Sequence, residues 1–299
     1  MASGDSPLVA RRRVRRAVRE AREAKGLTQS QVAEAMEWSL SKVMRIESGE
    51  VTISPNDLRP LLSFLGVTSG VDDLIQDART ARRRRMWFEE PGVREHLTPA
   101  LGQLIQYETE AVAVRHFYGA IIPGRLQTPA YAELVLRTYA HTLPAEDLKV
   151  RLEARLRRRA EFLARKDPPE IFLLLDESVL HRELGGRQVI GEQLLSLVKL
   201  TKEKRLRVRV VPFSGDAPPP MLGSYEILDL SRDDDDAIMY LESHTLDQIV
   251  EDKATIARFR DIFDEYWAAA LDETTSVRFT EERARALLSS VDKVDKTAG

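Results

Sequence analysis

Between Leu27 and Gly49 the chain reads LTQSQVAEAMEWSLSKVMRIESG, two short amphipathic segments that each follow a hydroxyl residue and stand only a few polar positions apart. Thr28 is placed to cap the first, in which Val32, Ala33 and Met36 share a face, and Ser39 is placed to cap the second, in which Val43 and Ile46 do. Gly49 supplies the left-handed backbone that ends it, and SGE closes the segment. Neither segment can bury its stripe alone, so the neighbours must be helices as well. Residues 8 to 25 supply one, ended by Gly26, and Pro55 with the run DLRPLLSFLG supplies another that Pro60 is expected to bend or break. Short helices joined by a tight turn and flanked by further helices make a helix-turn-helix domain.

The rest of the composition bounds what surrounds this module. With 299 residues, 43% of them hydrophobic, the chain is long enough for more than one domain. The absence of cysteine excludes disulfides, thiolate nucleophiles and cysteine-ligated zinc, and fits a reducing compartment. No apolar run approaches the roughly 18 residues of a membrane span, and the basic N-terminus lacks the apolar core of an export signal, so a cytoplasmic chain without membrane attachment is expected. The net charge of -3 conceals an asymmetry. Up to Met86 there are 16 Lys and Arg against 11 Asp and Glu, a net of +5, and beyond it 29 against 37, a net of -8. Only the first part is built for a polyanion.

The run LTQSQVAEAMEWSLSKVMRIESGE resembles the Xre or phage-repressor type of helix-turn-helix, carrying its TQ pair, the alanine at position 33, the Ile46-Glu47 pair and the closing glycine. The resemblance implies that the helix after Ser39 enters the major groove of double-stranded DNA. Leu40, Ser41 and Arg45 match positions that meet base edges: Arg45 can donate two hydrogen bonds to guanine, Ser41 reads weakly, and Leu40 packs on a thymine methyl. Thr28, Gln29 and Lys42, with Ser39 at the cap, fall to the phosphates. Arg22 and Glu47 match a structural ion pair between the first and third helices. One departure is Glu37, which stands where the family has a glycine, at a turn that needs positive φ. The arginine run RRRVRR is open between a solvated face and phosphate clamps, and ARRRRMW, Ala81 to Trp87, between linker, capping helix and further DNA contact.

From about residue 98 the pattern lengthens. Residues 98 to 118 read as a helix capped by Thr98, Pro123-Gly124 as a turn, Thr128-Pro129 as the start of another helix, and 145 to 165 as an arginine-rich helix. IFLLLD and LRVRVVPF then read as strands around a helical crossover, SYEILDL and AIMYLE as a strand pair across the acidic loop SRDDDD, and 247 to 271 as a helix. The expected fold is mainly α with a smaller mixed sheet. An all-α helix-turn-helix domain over 8–82 and a linker over 83–97 precede an α+β or α/β domain over 98–290, with about four strands flanked by helices.

The phrases IIPGRLQTPAYA, ARLRRRAEFL, LLLDESVLHRELGG, EQLLSLVKL and VRVVPF occur in this order, and in them the chain resembles actinobacterial Xre regulators related to the sporulation regulator WhiJ. Arg125 and Arg159 depart from the commoner residues of that family. The resemblance implies a transcriptional regulator, often linked to a small partner protein and in places treated as an antitoxin. Tyr107, Arg125, Gln127 and Tyr131 are the candidate partner or ligand surface; with His116, Phe117 and Tyr118 they form either a pocket or plain core. Asp176, Glu177 and His181, with Glu242 and His244, offer carboxylates and imidazoles for a metal-dependent hydrolase, but no metal motif accompanies them, Ser178 lacks a nucleophile elbow, and Asp176 and Glu177 also suit a helix cap. The reading is therefore a homodimeric DNA-binding regulator with no cofactor, no metal and no catalytic residue. An interaction module that sequesters a small partner is the alternative.

Overall fold

The computed structural model describes residues 7–49, 51–82, 87–138, 144–214, 223–231, 236–242 and 247–297. Glu50, most of the ARRRRMW run, most of the acidic loop and His244 lie outside the described residues. The chain divides into two compact units, Met1–Met86 and Trp87–Gly299.

The first unit consists of α1 (Pro7–Ala24), α2 (Gln29–Ala35), α3 (Leu40–Ser48), α4 (Pro55–Leu65) and α5 (Val71–Thr80). Val14 and Val18 of α1, Val32 and Ala33 of α2, Val43 and Ile46 of α3, the leucines of α4 and Ile75 and Ala78 of α5 close one apolar core. Helix α4 runs through Pro60 instead of ending there. Leu58, Leu61, Leu62 and Leu65 are all buried on one side, and that burial outweighs the backbone hydrogen bond that proline cannot make.

The second unit begins with a 3₁₀ turn at Trp87–Glu89, α6 (Pro91–Arg94) and α7 (Pro99–Glu108). Trp87 and Phe88 are buried and the Trp87 indole donates to Glu161 at 2.7 Å, so the segment expected as linker belongs from Trp87 onward to this unit. After it come β1 (Ala113–Tyr118), α8 (Pro129–Arg137), α9 (Ala145–Leu163), β2 (Glu170–Asp176), α10 (Glu177–His181), α11 (Gly186–Lys202), β3 (Arg207–Val211), β4 (Tyr225–Asp229), β5 (Ala237–Leu241), β6 (Gln248–Val250), α12 (Lys253–Ala269) and α13 (Glu273–Thr297).

Among the described residues the sheet has six strands in the order β3-β2-β1-β4-β5-β6, not the expected four. Both additional strands come from segments read as helix. AVRHFY forms β1, the strand between a parallel β2 and an antiparallel β4, and QIV forms β6 ahead of α12. The expected pairs are present: β2 and β3 run parallel around α10 and α11, and β4 and β5 run antiparallel. The β3 edge is occupied by the start of α13. Val210 N donates to the Ser276 hydroxyl at 3.0 Å, and Leu271 N donates to the Val210 carbonyl at 3.0 Å. These contacts take up both backbone polar groups of Val210 at this edge.

Candidate nucleic-acid interface

The turn between α2 and α3 is fixed by local chemistry. Thr28 caps α2 by accepting from Gln31 N, while the Gln31 side chain accepts from Thr28 N at 2.8 Å, a complete capping box. At the other end Glu37 sits at φ 55°, with Glu37 N donating to the Glu34 carbonyl at 3.1 Å and Trp38 N to the Ala33 carbonyl at 2.8 Å. This is a Schellman ending with glutamate in the position that favours glycine. Ser39 then caps α3, its hydroxyl accepting from Lys42 N at 3.2 Å, and Gly49 ends it at φ 81°.

A single carboxylate holds α3 at its angle. Glu47, buried on α3, accepts from Arg22 Nε of α1 at 2.7 Å, from Arg22 Nη2 at 3.0 Å and from Gln29 Nε2 of α2 at 2.8 Å. Arg22 Nη1 donates to the Leu27 carbonyl at 2.9 Å. The Glu47 hydrogen bond, against the cost of burial, raises the Arg22 pKa. The Arg22–Glu47 pair joins α1 and α3, the contact that the resemblance implies, with Gln29 of α2 added to it. Gln29, expected at a phosphate, spends its amide inside the unit. Lys42, also expected there, has its ammonium 3.2 Å from Asp57 and 3.8 Å from the Trp38 ring centroid.

Outward from this frame, α3 exposes Leu40, Ser41, Met44, Arg45 and Ser48, while Val43, Ile46 and Glu47 are buried. Leu40 is 43% exposed and Met44 51%, two of the three large exposed hydrophobic residues among the described ones. Met44 escaped sequence reasoning, although its position one turn beyond Leu40 marks it. The RRRVRR run is largely committed to architecture: Arg12 is buried, Arg13 meets Asp77 at 3.1 Å, Arg15 Nη1 donates to the Ser48 carbonyl at 3.0 Å, and Arg16 reaches Glu20 one turn along. Burial raises the Asp77 pKa despite the opposing charge of Arg13.

In the second unit, Tyr107, Arg125, Gln127 and Tyr131 are each buried to 2% exposure or less, so they form no surface for a partner. They belong to an interior polar layer on one face of the sheet. Arg125 pairs with Glu108 of α7 and Glu226 of β4, and Arg158 of α9 pairs with Glu108. Gln127 donates to the Ile122 carbonyl at 2.7 Å and accepts from Arg155 at 2.9 Å, Tyr107 donates to Glu251 at 3.0 Å, and Tyr131 accepts from Ile122 N.

His116 of β1 is wholly buried, with Nδ1 3.4 Å from Glu226. Burial lowers its pKa, whereas for Glu226 the opposing charge of Arg125 overcomes burial and holds the carboxyl well below its ordinary range. The Tyr118 hydroxyl lies 2.8 Å from Glu226 and 2.9 Å from Glu242. Burial raises the Tyr118 pKa well above the ordinary value and, against the Tyr118 hydrogen bond, raises that of Glu242. A hydroxyl has one proton to give. Tyr118 can therefore donate to only one of the two carboxyls at a time.

Of the residues considered for hydrolysis, His244 lies outside the described residues, and Asp176, Glu177 and His181 are engaged locally. Asp176 caps α10 by accepting from Ser178 N at 2.9 Å, and Glu177 accepts from Phe213 N at 2.7 Å and meets His181 at 3.1 Å. Ser178 donates to the Gly119 carbonyl at 3.0 Å. Among the described residues no three of His, Asp and Glu are grouped so as to hold a metal ion. None of their helices is long and apolar enough to cross a membrane.

A family model described as a domain of unknown function (DUF5753) matches residues 101–282, and one described as a helix-turn-helix domain matches residues 13–74. No curated protein and no solved structure matches the chain.

Proposed function

We propose, from the premise that the chain belongs to the DUF5753 family and carries a helix-turn-helix domain ahead of that segment, that it is a sequence-specific DNA-binding transcriptional regulator of the Xre type, akin to the WhiJ-like proteins. The observation that carries the reading is the exposed face of α3, with Arg45 and Ser41 outward on a helix locked by Arg22, Glu47 and Gln29. A guanidinium on such a helix can take the two acceptors of a guanine edge. Thr28, Ser39 and Lys42 border that face, where phosphates run when a helix lies in the major groove, and Lys42 reaches one by exchanging Asp57 for it.

One module covers a short half-site, so the working form is a homodimer on half-sites about 34 Å apart. The protein acts in the cytoplasm, on DNA. The second unit, net acidic, takes up a small protein partner or a signal, and that event is what the regulator reports. Selection from random duplexes by the full chain at two salt concentrations tests the proposal. One motif retained at both salts supports it, since phosphate contacts alone weaken steeply with salt. Arg45→Ala should then cost about 1–3 kcal/mol and relax preference at one base pair, while Lys42→Ala should weaken all sequences alike. Patternless, salt-sensitive recovery would instead leave a module whose work is to sequester its partner.

A further inference from the structure

Helix α9 carries a row of arginines that the buried ionic layer does not absorb. Arg151, Arg155 and Arg159 stand four residues apart, so they share one side of the helix over about 12 Å of its axis. Each is half-buried. Elsewhere arginine at this spacing is set against glutamate, as in Arg19–Glu23, Arg187–Glu183 and, on α9 itself, Arg157–Glu161. The row sets arginine against arginine, which weakens a helix. Of the acidic residues of α9, Asp147 meets His96, Glu161 meets Arg157, and Glu146 and Glu153 lie on the opposite, exposed side. The Nε of Arg151 and that of Arg159 are buried without a hydrogen-bond partner among the described residues, and burial lowers the Arg159 pKa with no carboxylate opposing it. Arg155, between them, is held in place: its Nη1 donates to Gln127 at 2.9 Å, and a Cβ on Gly124 would stand 3.8 Å from its Nε.

We infer that the Arg151–Arg155–Arg159 row is a binding site for a small molecule bearing two or three linked phosphates. This rests on the reading that the second unit takes up a signal, and it names the chemistry of that signal. The occupant follows from charge and reach. Three guanidiniums in little more than two helical turns call for several negative charges on a short backbone, and each guanidinium fork matches two phosphate oxygens. A long polyanion is disfavoured, because the unit around the row is net acidic and repels whatever extends past it. Binding would also remove the like-charge repulsion along α9 and give the two unpaired Nε groups an acceptor.

The test is titration calorimetry of the full chain at one ionic strength with sodium tripolyphosphate, pyrophosphate, orthophosphate and citrate. Tripolyphosphate should bind most tightly and pyrophosphate next, with orthophosphate and citrate well behind. The Arg151→Gln, Arg159→Gln double variant should bind tripolyphosphate about tenfold more weakly or worse, the loss of charge-assisted hydrogen bonds, while melting no lower than the wild type. Should the double variant not fold, Arg159→Gln alone carries the measurement. Arg187→Gln, which removes a charge elsewhere on the second unit, and Arg45→Ala, on the first, should leave the affinity unchanged. ATP binding more tightly than tripolyphosphate assigns the ligand to nucleotides; equal affinity means that the phosphate chain alone is recognised. No binding, citrate as tight as tripolyphosphate, an unaffected row variant, or a loss that follows Arg45→Ala instead overturns the inference and leaves the DNA-binding regulator standing. Tripolyphosphate that occupies the row yet leaves random-duplex selection unchanged keeps the site and overturns the signal reading beneath it.

Discussion

Each unit buries arginine against glutamate, and the two arrangements differ in how completely they are satisfied. In the first unit Arg22 uses Nε and Nη2 on Glu47 and Nη1 on the Leu27 carbonyl, and Glu47 takes Gln29 as well. In the second unit Arg125 reaches both Glu108 and Glu226 through Nη2, while its Nε and Nη1 are buried without a hydrogen-bond partner among the described residues. The opposite face of the same sheet shows what burial looks like without charge: Phe117, Tyr225, Ile227 and Met239 pack on Ile256, Phe263 and Tyr266. The clip in the first unit sets a helix angle. The layer in the second unit contributes less stability than an apolar layer of equal volume could, because desolvating ions is expensive.

The comparison breaks most easily at Glu226. Glu226→Ala leaves Arg125 buried beside Glu108 alone and takes a partner from Tyr118 and His116, and should cost about 3–5 kcal/mol. Urea unfolding of the full chain, followed by hydrogen exchange in the strands of the second unit, measures it. A loss below about 1 kcal/mol would mean that the layer is not the desolvated network described. Next in size is Glu47→Ala, which strands Arg22 and frees Gln29. Since the pair sits near the surface of its unit, the cost should be about 1.5–3 kcal/mol and confined to exchange in α1 to α3. Comparable protection loss in the second unit would show that the units do not unfold separately.

Glu242→Gln sharpens the contrast through pH. Wild-type Glu242 has a raised pKa, so the stability tied to its proton is complete below the ordinary carboxylate range and is lost as pH rises through the raised value. Glu226 has the opposite sign: its stability is present above the ordinary range and is lost as pH falls. Glutamine keeps a donor toward Tyr118 at every pH, so the variant should gain on the wild type as pH rises from mildly acid to neutral, by less than either loss above. Urea midpoints across that window, with the infrared carboxylic-acid band assigned by its loss in the variant, report it. A constant difference would remove the proton from Glu242.

What could be read from the chain follows the range of the interactions involved. Capping at Thr28, Ser39 and Thr98 and the glycine ends at Gly26 and Gly49 depend on neighbours a few residues away, and they stand as expected. Strand β1 did not, because a strand between two others is buried on both sides and AVRHFY shows no clean alternation. Strand β6, three residues long, carries too little pattern to interrupt a helical reading. The ionic layer was out of reach for another reason: Glu108, Arg125, Arg158 and Glu226 come from separate elements, and only the packing of those elements brings them together. Arg125 was noted in PGRLQT, and nothing local indicated that it would be buried.

The smallest expected effect concerns the turn between α2 and α3. Glu37 occupies left-handed backbone at φ 55°, where its Cβ crowds the following carbonyl, and glycine would not. The other left-handed helix ends of this unit, Gly26, Gly49 and Gly66, already carry glycine. Glu37 is exposed and the relief is conformational, so Glu37→Gly should stabilise the first unit by about 0.5–1 kcal/mol, the strain removed exceeding the extra freedom given to the unfolded chain. Destabilisation would mean that the glutamate side chain holds the turn by a contact worth more than its strain. DNA affinity measured on the same variant separates two uses of that strain. If the turn merely tolerates it, affinity is unchanged; if a stiffer glutamate turn preorganises α3 for the groove, the more stable protein binds less tightly.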